Sequence, residues 1–278
     1  MGKGLFEDVL LEAEYLNADK IVFNKELLPF QAKEISKLTY MNVSDRTELI
    51  LDIFAKNAQS KEAHTQIELA RLKYELPRLA GTGAKFSQIA GGIRAKGPGE
   101  KKIEQRRRYL RKRINVLEKQ INALAYRRTR TRSKRERNEL FTVRLIGYTC
   151  AGKSTLFNKL TKSNVLESTK PFSTLNPTTR KTYLSDKTEI LLSDTVGFIT
   201  DLPEDLISSF RATLEEINQS DLLIHIVDCS EDDFEEKILS VEDTLIRTGL
   251  IDHERLIIFN KIDLISDDKI SYLKTKYQ

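Results

Sequence analysis

The chain has 278 residues, a hydrophobic fraction of 40% and a formal net charge of +5. That length supports more than one packed domain, while no apolar run approaches the roughly eighteen residues of a membrane span and acidic residues interrupt the N-terminal stretch MGKGLFEDVLLEAEYL, unlike a signal peptide. The expectation is a cytoplasmic monomer with no membrane span, and its two cysteines, Cys150 and Cys229, lack the CxxC spacing of a zinc site or a disulfide framework.

In chain order, Leu5, Val9, Leu10, Leu11, Ala13 and Leu16 recur at helical spacing over Gly4 to Ala18, and Lys20 to Asn24 follows as a short strand. A helix from about Leu28 to Thr39 and a strand at Met41 to Val43 complete an αβαβ unit. Ser44 to Glu48 supplies an N-cap and an early acidic residue for a helical stretch running to about Leu76, where Pro77 and Gly81 end it.

Residues 81–99 hold six of the chain's twelve glycines, a density that predicts a mobile loop; its Lys85, Arg94 and Lys96 suit a crowded RNA site. Next, Ile103, Leu110, Ile114, Leu117, Ile121 and Leu124 recur at spacings of three, four and seven. This is a helix with a narrow apolar seam, paired antiparallel with the preceding helix. Arg128 to Asn138 reads as a polar linker. Between Lys101 and Arg137, sixteen Lys and Arg stand against three Glu, so this segment carries the positive charge and the rest of the chain is net negative. Self-repulsion on that scale points to a polyanionic partner, with Arg106, Arg107, Arg108, Arg111 and Arg113 as candidate RNA contacts.

From Phe141 the pattern alternates. Strands are expected at Thr142–Ile146, Ile190–Ser193, Leu222–Val227 and Leu256–Phe259, and helices near Ser154–Thr161, Leu206–Asn218 and Asp233–Thr248, a doubly wound α/β arrangement. After the first strand, Gly147-Tyr148-Thr149-Cys150-Ala151-Gly152-Lys153-Ser154 fits GxxxxGK[ST] and leads through Thr155 into a helix. In such a loop, backbone N–H groups cradle phosphates, Lys153 neutralises them and the Ser154 hydroxyl binds Mg²⁺.

Three further motifs follow in order. Thr174 lies in the loop with Phe172 and Ser173 and is placed to reach Mg²⁺. Asp194-Thr195-Val196-Gly197 is a DxxG, in which Asp194 holds the metal through a water and the Gly197 N–H meets the γ-phosphate. Asn260-Lys261-Ile262-Asp263 is an NKxD, whose Asp263 carboxylate matches two N–H donors that guanine has and adenine lacks. The expected catalytic set is Lys153, Thr174 and Gly197, and the metal set is Ser154, Thr174 and Asp194. Phe198 stands where many switch GTPases place a water-orienting glutamine, so intrinsic hydrolysis of GTP is expected to be slow. His64, His225 and His253 are isolated and receive no catalytic role.

The stretches GYTCAGKSTLFNKLT, PFSTLNPTTR and LLSDTVGFITDLP resemble the P-loop and the two switches of the HflX family of GTPases. SDRTELILDIF, QIELARLKYELPRLAG and GGIRAKGPGEKKIE resemble its N-terminal and helical-linker regions. The resemblance spans essentially the whole chain. It implies a Ras-like P-loop GTPase domain at 139–278, an α/β N-terminal subdomain at 1–43 and an antiparallel helical hairpin at 44–138. It also implies Mg²⁺-dependent hydrolysis, binding to the large ribosomal subunit and its rRNA, and separation of stalled or idle ribosomes. A rival reading is a nucleotide-gated RNA-binding module with negligible turnover. Where this chain has Cys150, the family usually has an asparagine associated with potassium, so potassium use is not expected here. The chain also starts inside the family's N-terminal domain and stops before the motif that backs the guanine base, so both ends are expected to be truncated.

Overall fold

The computed structural model describes residues 3–79, 98–136, 140–163, 172, 178–200, 203, 206–209, 220–250 and 253–277. By compactness the chain divides into two units. One joins Met1–Ile53 to Ile67–Lys119, and the other joins Phe54–Gln66 to Gln120–Gln278. The glycine-rich loop lies outside the described residues. Among those described, no helix is long and apolar enough to cross a membrane.

The first unit begins with α1 (Lys3–Tyr15), β1 (Lys20–Phe23), α2 (Pro29–Thr39) and β2 (Asn42–Asp45), with β1 and β2 paired in parallel. Pro29 opens α2, where its missing N–H costs nothing, and Gln31 Oε1 accepts the Leu28 N–H at 2.9 Å. Strand β2 runs directly into α3 (Arg46–Asn57) because Asp45 caps it, its Oδ1 accepting the Glu48 N–H at 3.0 Å.

Asp45 does more than cap. Its buried carboxylate also accepts the Leu27 N–H at 3.0 Å, the Tyr74 hydroxyl at 2.6 Å and the Arg78 guanidinium at 2.6 Å. Arg78 donates as well to the Leu27 carbonyl at 2.6 Å and lies 3.4 Å from the Tyr74 ring centre. Burial and the bond to Asp45 push the Tyr74 phenol far above its ordinary pKa. One carboxylate thus joins the end of β2 to the entry of α2 and the last turns of α4 (Lys61–Arg78).

The helical stretch expected from residue 44 to about residue 76 is two helices. Ala58 and Gln59 separate them, and Ser60 Oγ accepts the Ala63 N–H at 3.0 Å to start α4. Pro77 lies inside the last turn of α4, where it has no N–H to give to the i→i−4 ladder, and the helix ends one residue later at Arg78. The basic helix α5 extends from Pro98 to Glu136, so the polar linker expected from Arg128 is helical up to that residue. Leu110, Ile114, Leu117 and Ile121 of its seam are buried. As α4 advances from Glu68 to Glu75 its partner falls back from Arg113 to Arg106, so the two helices run antiparallel.

The second unit holds a five-stranded sheet ordered β4-β5-β3-β6-β7, made of β3 (Phe141–Gly147), β4 (Thr178–Tyr183), β5 (Glu189–Asp194), β6 (Leu222–Asp228) and β7 (Arg255–Asn260). All pairings are parallel except β4 with β5. The antiparallel edge β4, TTRKTY, escapes sequence reading because it carries no apolar alternation. Val143, Leu145, Phe157, Ile190 and Leu192 form one core cluster, and Ile146, Phe198, Leu223, Val241, Leu245 and Leu250 form another. The flanking helices are α6 (Lys153–Thr161), α7 (Phe234–Thr248) and α8 (Asp267–Lys276). Of the helix expected at 206–218, residues 206–209 are described and are helical.

Replacing Asp45 by alanine removes the acceptor that the Arg78 guanidinium and the Tyr74 hydroxyl share. Asp45→Ala should lower unfolding stability by about 3 kcal/mol or more in urea titration. A loss under about 0.5 kcal/mol, the range of an ordinary surface change, would show that the cluster is not a structural tie.

Candidate nucleotide site

Because β5, β3, β6 and β7 are parallel, their C-terminal residues Asp194, Gly147, Asp228 and Asn260 come out at one edge of the sheet. That edge is where open α/β sheets present their loops for ligands. Gly147 leaves β3 with φ +144°, and a Cβ there would sit 2.3 Å from the Ile226 carbonyl oxygen. Gly152 ends the loop at φ +96°, where a Cβ would lie 2.2 Å from Asn260 Nδ2. Both places exclude a side chain. Cys150, between them, is exposed and left-handed at φ +62°.

The close approach at Gly152 serves a bond. Asn260 Nδ2 donates to the Ala151 carbonyl at 2.8 Å, tying β7 to the loop. The Asn260 carbonyl accepts both the Cys229 N–H at 3.2 Å and the Cys229 thiol at 3.0 Å.

Lys153 opens α6 and is buried; its Nζ donates to the carbonyls of Gly147 at 3.1 Å and Tyr148 at 2.7 Å. Burial lowers its pKa to about 8, against the upward pull of the Asp194 and Cys150 charges. Next to it, the Ser154 hydroxyl donates to Asp194 Oδ2 at 2.7 Å. A hydroxyl and a carboxylate in contact form an all-oxygen donor pair, which fits Mg²⁺. Thr155 is exposed in the first turn of α6.

After Asp194 the chain stays against the loop. Thr195 donates its hydroxyl to the Leu145 carbonyl at 2.6 Å, and Val196 is half-buried. A Cβ on Gly197 would lie 2.9 Å from Thr149 Cγ2 and 3.2 Å from Lys153 Nζ. Phe198 is bridged to Tyr148: its N–H donates to the Gly147 carbonyl at 3.1 Å and its carbonyl accepts the Thr149 N–H at 2.8 Å. The Phe198 ring is buried in the core cluster with Ile146 and Leu223.

Ser173 and Thr174 lie outside the described residues. Phe172, beside them, is buried at φ +59°, with its ring centre 4.4 Å from that of Phe54 and its carbonyl accepting Asn57 Nδ2 at 3.0 Å.

Lys261 is held by Asp228, Nζ to Oδ2 at 2.5 Å, and Asp263 is exposed in a short 3₁₀ turn, Ile262–Leu264. Burial pushes the Asp228 carboxyl up, but the Lys261 and Ser230 hydrogen bonds outweigh it and leave the group below its ordinary value. Sequence reading passed over Asp228, although a carboxylate at the C-terminal end of a parallel strand is itself a signal. Burial, with the charges of Arg255 and Lys153, drops His225 to about 4, so it is neutral at physiological pH.

The candidate RNA residues separate into two sets. Arg106 donates to Glu75 at 2.9 Å, and Arg113 grips Glu68 with two bonds at 2.7 and 2.9 Å, the pairing that raises its pKa. Arg108 and Arg111 are exposed, as are Lys101, Lys102, Lys112 and Lys119, and Arg107 is half-buried.

Three family descriptions match the chain in succession: GTP-binding GTPase N-terminal at residues 1–55, GTP-binding GTPase Middle Region at 57–135 and 50S ribosome-binding GTPase at 142–261. GTPase HflX of Caldanaerobacter subterraneus is 45% identical over 265 residues, covering 95% of this chain and 62% of that protein. Along nearly its whole length the chain is similar to the HflX GTPases. GTPase HflX of Escherichia coli K12 is 38% identical over 267 residues, 96% of this chain and 63% of that protein. The chain therefore spans just over three fifths of the length of these HflX relatives.

Among solved structures, the GDP complex of SsGBP has a TM-score of 0.52 at 28% identity, covering 99% of this chain and 74% of that one. A GTP-binding protein of Sulfolobus solfataricus in complex with GDP has a TM-score of 0.50 at 26% identity, with the same coverage. The fold of the second unit is the α/β fold of the P-loop GTPases, preceded by helical regions.

Lys153 generates a proton-linkage prediction. Above pH 8 its neutral form gains ground, whereas an anionic phosphate set against it favours the ammonium, so binding must take up a proton. Titrating the protein with GDP at pH 8.5, in buffers of different ionisation heat, should report uptake of between about half and one proton. Zero uptake would show that phosphate does not meet this lysine.

Proposed function

We propose that the chain binds GTP with Mg²⁺ and hydrolyses it to GDP and phosphate, and that it associates with the large ribosomal subunit to split or rescue stalled or idle ribosomes. The observation that carries the nucleotide reading is the convergence at one sheet edge of Lys153, the Ser154–Asp194 pair and the Asn260–Ala151 bond. The loop from Gly147 to Thr155 takes the phosphates, and Asp263 reads the base. Thr174, with Phe172 and Ser173, and Gly197, in the DxxG with Thr195 and Val196, respond to the γ-phosphate. Mg²⁺, held through Ser154 with Thr174 and Asp194, neutralises charge on the phosphates. Residues 1–43, 44–138 and 139–278 serve as N-terminal subdomain, helical hairpin and GTPase domain.

Burial of Phe198 favours a second reading, a nucleotide-gated RNA-binding module with negligible turnover, because a core side chain does not orient water. Single-turnover hydrolysis with and without large ribosomal subunits separates the two. Stimulation by subunits supports the first, and no turnover under either condition supports the second.

Asp263→Asn should weaken GTP binding and move base preference towards xanthine, whose ring has a carbonyl where guanine has its exocyclic amine, so that the new amide can donate to it. An unchanged preference in competition titration would remove Asp263 from base reading.

For RNA, the exposed pair on α5 carries the expectation. Arg108→Gln with Arg111→Gln should lower the slope of log affinity for large subunits against log salt by about 1.4, at about 0.7 for each lost phosphate contact to irregular RNA. Arg106→Gln with Arg113→Gln should lower stability instead, since those side chains are engaged by Glu75 and Glu68. Equal slopes for the parent and the Arg108/Arg111 variant would remove this face from the interface.

A further inference from the structure

We infer that the Tyr148 phenol is a positioning residue for the DxxG segment, a latch on the P-loop that holds Thr200 and through it Gly197. The Tyr148 hydroxyl accepts the Thr200 N–H at 3.2 Å and stands 3.1 Å from Thr200 Oγ1. Since the phenol oxygen takes the amide hydrogen, its own hydrogen is available to the threonine hydroxyl, and one side chain closes two bonds to one residue.

The ring that carries this hydroxyl is fixed from two sides. It packs against the cluster of Ile146, Phe198, Leu223, Val241, Leu245 and Leu250, and Lys237 Nζ of α7 stands 5.2 Å from its centre. Lys237 is in turn paired with Glu231 and with Asp233. An ammonium over an aromatic face is attractive, and with its charge also balanced by two carboxylates it is anchored where it stands.

The segment from Gly197 to Thr200 is therefore held at three points on the loop that cradles phosphate. Gly197 lies against Thr149 and Lys153, Phe198 is bridged to Gly147 and Thr149, and Thr200 is fastened to Tyr148. The first two fastenings use the backbone and glycine that any DxxG segment offers. The third belongs to the side chain at the second position of the loop, which GxxxxGK[ST] leaves free. A donor that stabilises charge in a transition state is effective when it is already in place, so the latch governs the hydrolytic step more than nucleotide binding. This inference rests on the GTPase reading for its kinetic consequence and on geometry alone for the latch.

The test is Tyr148→Phe, which removes one oxygen and keeps the ring. Amide hydrogen exchange on the full chain should show the Thr200 N–H exchanging about tenfold faster, the effect of losing one or two net hydrogen bonds. Single-turnover GTP hydrolysis should slow by a similar factor, with GDP affinity changed less than about twofold. Thr200→Val keeps the amide bond to the phenol and loses only the hydroxyl partner, so its rate should fall between those of the parent and Tyr148→Phe. Combined with Tyr148→Phe its effect should be clearly less than additive, because the two changes share one bond. Unchanged Thr200 exchange overturns the latch. Additive rate losses, or GDP affinity falling in step with rate, overturn its positioning role. A parent chain without turnover overturns the hydrolytic reading and leaves the exchange experiment to decide the latch; if Tyr148→Phe does not fold, the Thr200→Val rate decides, an unaltered rate counting against the proposal.

Discussion

The bond from Asn260 to the Ala151 carbonyl is the contact on which the rest of the site depends. It joins the end of β7 to the phosphate-type loop after β3, two strands that are not neighbours in the sheet. It exists only because Gly152 has no Cβ. Cys229, directly after β6, donates twice to the backbone carbonyl of the same asparagine. Hydrogen bonds that converge on one half-buried residue restrain the segments they join, so the end of β7 and the loop after β3 are held together. Asp228 extends that restraint by holding the Lys261 side chain.

Against this restrained half stands a charge in an unfavourable place. Lys153 is buried among backbone carbonyls, and desolvation lowers its pKa. Carbonyl dipoles and the nearby Asp194 repay part of that cost but do not remove it. A polyphosphate would supply the missing counter-charge, which is why the site is electrostatically prepared for an anion before any conformational change. The Ser154–Asp194 contact is the complementary feature, a hydroxyl and a carboxylate already together.

How much of this is legible in the sequence follows from how local each interaction is. The loop from Gly147 to Ser154, the DxxG and the NKxD are contiguous, and each needs particular residues for steric or chemical reasons that survive without a structure. Strands β3, β5, β6 and β7 announce themselves because they are apolar. Polar β4 does not, and the break at Ser60 between α3 and α4 leaves no proline or glycine to mark it. Arg106 and Arg113 look like the other arginines of α5 until the glutamates of α4 are set opposite them. Phe172 against Phe54 and Tyr148 against Thr200 are long-range contacts between ordinary residue types, and no short-range pattern encodes them.

Those last two contacts divide the labour of the site. Phe172 holds a left-handed backbone, a conformation that costs a bulky residue about 1 to 3 kcal/mol. Burial of its ring against Phe54 and the bond from Asn57 offset that cost, so the conformation lasts only as long as the contact with the end of α3. Thr200 is held by a phenol, which a modest force can release. Both restraints act on segments beside those proposed to answer the γ-phosphate, and neither is made by Asn260, Asp263 or the loop glycines. On the GTPase reading, affinity is then set by the restrained half built on Asn260. The rate is set by how these two segments are held, since Phe198 is committed to the core and leaves no side chain at its position to orient water.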